Sequence, residues 1–379
     1  MSRRMAESRR AAALLVAALR APERLPTLAD EDWDLLLRIA RHARLLGRLD
    51  ADLGTLGLHA RVPERVCHHL ESARQQVAYR QRLLTWEVDR VLRALEGLDV
   101  QVVALKGVAY VLTGVPAARG RMFADVDLLV PMAALEPLEQ RLHARGWLSL
   151  GHSEYDERYY RDWMHEIPPL RHAERDNEID IHHRLLPRTS RFHFDPAPLF
   201  TASQALDGHG ALRVLGAPDM VLHAVVHLFL EGDAREGLRL RDLVDVWDLI
   251  RHFEARTGFW DALLDRAEQL GLQRPLFHAL RQAQSLFALE PPAHCRARLA
   301  GWGPVAPVRW LMDRLVPLAL FPDHAGRAPL RVRLARLALY VRAHWLRMPS
   351  GLLLRHLGYK GWLRVRGWLM TGREEAARR

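Results

Sequence analysis

Ala124-Asp125-Val126-Asp127-Leu128-Leu129-Val130 decides the reading of this chain. In a β-strand, residues two apart point to one face. Asp125 and Asp127 therefore project together, while Val126, Leu128 and Val130 point the other way, into a core. With Phe123 and Ala124 before the pair, the stretch is too apolar for a solvated edge. An acid in a central strand needs a partner, because burying an unpaired charge is costly. Two adjacent carboxylates repel, and a cation between them removes the repulsion. Hard oxygen ligands of this kind suit Mg²⁺, commonly held by one or two carboxylates plus substrate phosphates. The plain alternative is a surface strand carrying two solvated acids.

Upstream, Val100 to Leu105 reads as a buried strand rich in β-branched residues. Lys106-Gly107 ends it, and Val108 to Leu112 reads as a short helix stopped by Gly114 and Pro116. A strand, a glycine turn and a helix N-terminus make an anion site, because unpaired backbone N–H groups point outward there. Gly107 would let the backbone approach a phosphate closely. Lys106 would add a point charge; the only other lysine is Lys360. Arg119 and Arg121 lie between the turn and the acids, and guanidinium groups suit bidentate phosphate contact. The same two arginines would also balance the acids in a structural ion cluster. Downstream, Glu178-Ile179-Asp180-Ile181-His182 alternates with period two, after a polar turn at Glu174 to Asn177 that reads as a hairpin. Glu178, Asp180 and His182 share one face.

Leu105-Lys106-Gly107, an arginine, Asp125-Val126-Asp127-Leu128-Leu129-Val130 and Ile179-Asp180-Ile181, in that order, resemble the nucleotidyltransferase superfamily related to DNA polymerase β. The resemblance is closest to the bacterial branch labelled "nucleotidyltransferase family protein". Lys106-Gly107 stands where the superfamily has Gly-Ser, and the spacer to Asp125 is longer than in minimal members. Val100 to Leu186 carries the resemblance strongly and the following helices weakly. It implies an α+β fold: a polymerase β-like nucleotidyltransferase core, a small mixed sheet with helices, flanked by helical N- and C-terminal regions. It also implies a third carboxylate on a later strand, with Asp180 the candidate and Glu178 the rival. Asp125, Asp127 and Asp180 would be metal ligands and catalytic residues. Lys106, Gly107, Arg119 and Arg121 would bind the nucleotide, and Mg²⁺ or Mn²⁺ would be the cofactor. The expected reaction moves NMP from an NTP to an acceptor hydroxyl of a small molecule, a protein or an RNA by a two-metal mechanism. A catalytically silent nucleotide- or RNA-binding adaptor, membrane-associated through the basic C-terminus, is the second reading. Hydrolysis or kinase-like transfer on the same site is a third. The sequence has no Walker-type or dinucleotide-type glycine fingerprint.

With 49% hydrophobic residues, the 379-residue chain can bury a sizeable core. Its formal charge of +10 favours anionic partners such as nucleotides, nucleic acid or lipid headgroups. Cys67 and Cys295 have neither metal-site nor redox spacing and read as buried free thiols of a reducing compartment. No apolar run reaches transmembrane length. Arg3, Arg4, Arg9 and Arg10 before Ala11 to Leu19 mimic a signal peptide, yet the stretch is short and ends at Arg20, so it reads as an amphipathic helix. The expected location is cytoplasmic, or peripheral at the inner membrane.

Four regions are expected: a helical N-terminal module at 1–97, the nucleotidyltransferase core at 98–216, a helical substrate-cleft domain at 217–290 and a basic helical region at 291–379. Helices are expected over Ala6 to Leu19, Asp30 to Leu46, Pro63 to Leu95 and Met132 to Arg145, with a strand at Trp147 to Leu150. A helix beginning at Ala217-Pro218 puts His223 and His227 on one face; zinc needs more ligands, so these read as buried histidines. Arg239, Arg241, Asp242 and Asp245 open the next helix, as cleft lining or as inter-helix ion pairs. From Arg327 to Arg373 arginines alternate with Leu, Val, Trp345, Trp362 and Trp368, and no acid appears before Glu374. Such a stretch can lie on an anionic membrane, grip nucleic acid, or form an arginine-rich solvent face.

Overall fold

A computed structural model describes residues 2–123, 125–149, 159–175, 177–230, 237–323, 328–355 and 358. Arg327, Lys360, Trp362, Arg364, Arg366, Trp368 and Arg373 of the basic stretch lie outside the described residues, as do Leu150 and Asp176.

Among the described residues four α-helices precede the sheet: α1 Ser2–Arg20, α2 Asp30–His42, α3 Leu46–Thr55 and α4 Glu64–Ala94. Asp30, Glu31 and Asp32 fill the first turn of α2, where the helix dipole favours acids. One helix was expected over Asp30 to Leu46. The chain instead breaks between α2 and α3, where Arg44 takes a left-handed φ of +57°. Pro63 caps α4, and its 31 residues make a rod of about 46 Å.

The sheet is built from β1 Val102–Ala104, β2 Asp125–Leu129, β3 Trp147–Ser149, β4 Leu170–His172, β5 Glu178–His182, β6 Gln204–Ala205 and β7 Leu212–Val214, in the order β3-β4-β5-β2-β1-β7-β6. It is mixed: β2 runs antiparallel to β1 and parallel to β5, and β1 runs parallel to β7. Helices α5 Lys106–Thr113, α6 Leu135–Ala144 and α7 Ala197–Ala202 connect the strands. Gly114 ends α5 in the left-handed conformation that glycine adopts without a Cβ penalty. The β2 position is central, and Val126, Leu128 and Leu129 are buried there, as the apolar pattern requires. Helices α8 Ala217–Leu230, α9 Leu240–Phe253, α10 Phe259–Gln269, α11 Gln273–Phe287, α12 Ala293–Gly301, α13 Ala306–Leu320 and α14 Leu330–Arg347 follow. One contiguous apolar cluster runs from Ala11 to Leu339, so helices before and after the sheet share a core.

Three polar devices lock the helices in place. Glu87 of α4 is fully buried and accepts hydrogen bonds from Trp147 Nε1 at 3.0 Å and Arg175 Nε at 3.0 Å, tying α4 to β3 and to the turn between β4 and β5. Arg48 of α3 donates from Nε to both carboxylate oxygens of Asp52 at 2.8 Å, while its terminal nitrogens hold Asp248 of α9. Backbone contact is the third. A Cβ on Gly120 would lie 2.1 Å from the Gly47 carbonyl, and Gly120 holds φ +61°. No other residue fits there. Gly120→Ala should therefore cost about 2–4 kcal/mol, read as a lowered urea midpoint with unchanged m. A midpoint shift too small to resolve would show that the two backbones separate cheaply.

Candidate active site

Parallel pairing of β2 with β5 sets Asp125 opposite Glu178, Asp127 opposite Asp180, and Leu129 opposite His182. The result is a cluster: oxygens of Asp125, Asp127 and Asp180 lie within 4.8 Å of one another. Asp180 thus joins the pair. Glu178 is bonded to Arg171 on neighbouring β4.

The three carboxylates differ in surroundings. Asp127 Oδ1 accepts from Lys106 Nζ at 3.0 Å and contacts His182 Nε2 at 3.1 Å. Burial works against its charge, but Lys106 and His182 outweigh burial and hold its carboxyl below the usual range. Asp125 is pushed upward, first by the charge of Asp127 and then by burial. Asp180 is pushed well up, by burial and then by Asp127 and Glu166. Its Oδ1 is buried with no hydrogen-bond partner. Burial opposes the charge of His182, yet its bond to Asp127 and the nearby Glu166 raise its pKa. His165, Glu166 and His182 form an adjoining group, with Glu166 Oε2 3.6 Å from His182 Nε2.

Lys106 and Gly107 sit at the N-terminus of α5, beside β2. Lys106 holds φ +41°, a strained setting for a lysine at the edge of the cluster. Gly107 has a different reason from the one expected. A Cβ there would meet the Phe123 ring at 2.2 Å, so glycine admits an aromatic ring rather than only a ligand.

A cavity of about 490 Å³ opens over Asp125 and Asp127. Its walls include Lys106, Arg44, Arg80, Arg239, Arg241 and the half-exposed Tyr79. Arg121 also reaches this wall, but its guanidinium is committed: Nη1 lies 2.6 Å from Asp245 and Nη2 3.8 Å from Asp242. It balances the acids of α9, not the Asp125–Asp127 pair. Burial carries Asp245 to about 7, with Arg121 offsetting part of that rise. Arg119 is exposed and does not line this cavity; it borders a small adjoining crevice with Arg48 and Asp248, which shares Arg44, Arg121 and Arg241 with the cavity wall. His227 contacts Arg239 at 2.8 Å, and His223 is buried; neither belongs to a metal-competent group among the described residues.

Tested as a cation site, the cluster fits. It offers hard oxygen donors, mutual repulsion that a cation would relieve, and an orphaned buried oxygen on Asp180. A model of the family described as "Uncharacterised nucleotidyltransferase" matches residues 29–288, which include every residue of the cluster and the cavity. This chain belongs to that nucleotidyltransferase family. The resemblance to the superfamily drawn from the motif order is thereby supported at the family's level. No curated protein matches the chain at a significant level. A solved structure described as an antigenic nucleotidyltransferase-like protein from Paracoccidioides brasiliensis is similar at 12% identity over 58% of this chain and 96% of that one, with a TM-score of 0.28.

Several neighbours of the site escape a reading of the motif alone. Gln76, Tyr79 and Arg80 come from α4, where three- and four-residue spacing puts them on one face. That long helix carries polar residues on most faces, so spacing does not single them out. His182 carried a signal: period two placed it beside Asp180.

Proposed function

We propose that this nucleotidyltransferase moves NMP from an NTP to an acceptor hydroxyl, with Mg²⁺ held by Asp125, Asp127 and Asp180 on a polymerase β-like core. The observation that carries the reading is the convergence of three carboxylates, two of which, Asp125 and Asp127, line an arginine-walled cavity. The arginines and Lys106 match a triphosphate, whose oxygens they can bind bidentately or as point charges. Lys106 lines the cavity beside Asp127, where its charge would steady a phosphate. Tyr79 offers a flat face for a base. The acceptor oxygen attacks the α-phosphorus, the bond to the β-phosphate breaks, and pyrophosphate leaves. The acceptor's proton passes to Asp180, whose charged form is disfavoured by burial. A divalent cation, which Asp125, Asp127 and Asp180 would hold, would supply charge neutralisation at the reacting phosphate. His182 and Lys106 hold Asp127 ionised and oriented.

Titration calorimetry of each NTP with and without Mg²⁺ tests the reading. Metal-dependent binding of one or more NTPs is the expected result; binding indifferent to metal would end it.

The same cluster sets a pH dependence. Asp125 and Asp180 are raised above their ordinary 3.8. A raised acid costs the fold nothing below that value, and destabilises it increasingly as pH climbs toward its folded value. Mg²⁺ binds the ionised cluster and offsets this loss. The Tm gain on adding Mg²⁺ should be larger near pH 8 than near pH 5, because Asp125 and Asp180 are raised and lose charge as pH falls. Equal gains at the two pH values in scanning fluorimetry would argue against a carboxylate site.

A further inference from the structure

Helix α14 has two contrasting faces. Ala335, Arg336, Leu339, Ala343 and His344 are buried. Leu330, Leu334, Leu337, Val341 and Trp345 are exposed by 66, 55, 51, 38 and 46%. Steps of four, three, four and four residues align these five along one stripe of the helix. At the helical rise the stripe is about 22 Å long. Scattered exposed leucines need no explanation, but a continuous apolar stripe does.

The charge beside the stripe has one sign. Arg331 and Arg333 are exposed on its two sides. Arg191 lies over the Trp345 ring at 4.3 Å. Asp323 is the last acid before Glu374 in the sequence, and it is engaged by the buried Arg336. The family match ends at residue 288, so α14 lies beyond it.

We propose that this stripe lies on an anionic lipid surface. The leucines and Val341 enter the boundary between headgroups and acyl chains, and the arginines meet lipid phosphates. Trp345 ends the stripe with a ring suited to the headgroup level. Among the described residues no helix is long and apolar enough to cross a membrane, so the helix lies on the surface. A second copy of the chain is a poorer occupant. Symmetric pairing of two stripes would set arginines against arginines with no acid between them. Nucleic acid would satisfy the arginines and leave the apolar side chains in water.

Sedimentation of the full chain with vesicles tests this. One set is phosphatidylcholine alone; the other contains about a third phosphatidylglycerol. The chain is expected to pellet with the anionic set and stay in solution with the neutral set. Leu334→Glu/Leu337→Glu should lower the bound fraction at least about tenfold. Arg331→Ser/Arg333→Ser should weaken binding and flatten its salt dependence. All four positions are exposed, so both variants should keep the wild-type Tm and circular dichroism, which are measured alongside. The Asp125→Asn/Asp127→Asn variant should bind vesicles like the wild type. Binding that survives Leu334→Glu/Leu337→Glu overturns the proposal. So does equal binding to both vesicle sets, absence of binding to either, or loss of a dimer or of RNA binding as the effect of the stripe variant.

Discussion

Asp125→Asn/Asp127→Asn is expected to lower nucleotidyl transfer at least about 10³-fold while the chain stays folded. Asparagine keeps the size of each side chain and one oxygen, but it removes the charge that a divalent cation requires. The single variants should separate function from stability. The charged form of Asp125 is disfavoured by Asp127 and by burial, so Asp125→Asn should raise the Tm of the metal-free protein. Asp127 is stabilised in its charged form by Lys106 and His182, so Asp127→Asn should lower it. Both singles should lose transfer. Turnover of labelled NTP by the double variant at the wild-type rate would remove these residues from catalysis. A Tm that moves the same way in both singles would contradict the electrostatic account of the pair.

Arg48→Met is expected to cost about 3–5 kcal/mol, the scale of breaking a buried ion network on one side. Arg48 is nearly buried and serves two carboxylates at once, Asp52 on its own helix and Asp248 on α9. Methionine fills much of the volume and leaves both acids without their cation. Asp52 already lies above its ordinary value, because burial outweighs the pull of Arg48. Without Arg48 the carboxyl of Asp52 should rise further, so the deficit should shrink as pH falls and Asp52 takes up a proton. Adding Asp248→Asn to Arg48→Met should recover part of the loss, since two partners of one network do not add. Chemical denaturation of the four members of this cycle measures the coupling. Simple additivity would mean that the two side chains stabilise the fold independently. The network also bears on the site. Helix α9 carries Asp242 and Asp245, which hold Arg121, and Arg241 of the cavity wall.

Helices α4, α5, α6, α8 and α9 and strands β1, β2, β3 and β5 were legible because each local rule pointed one way; the short β4, α7, β6 and β7 were not. Alternation at Asp125 to Val130 and Glu178 to His182 gave the strands their faces, and Gly114 and Pro63 marked helix ends. The break at Arg44 was not legible, because nothing in the local composition demands a left-handed arginine. The pairing of Asp127 with Asp180 was legible only as a pattern of faces. Their approach depends on β5 docking beside β2 in one register, and register is a tertiary property.

By itself, the sequence determined which residues are acidic and in phase, where the apolar faces lie, and the motif order that marks a nucleotidyltransferase. These follow from chain periodicity and residue chemistry, which are local. Only the tertiary structure decided that Arg121 serves Asp245, that Arg119 faces a different crevice, that Gly107 accommodates Phe123, and that α4 supplies a wall of the cavity. Long guanidinium side chains reach across several ångströms, and their partners come from elements more than a hundred residues away. Side-chain assignment on that scale is set by packing.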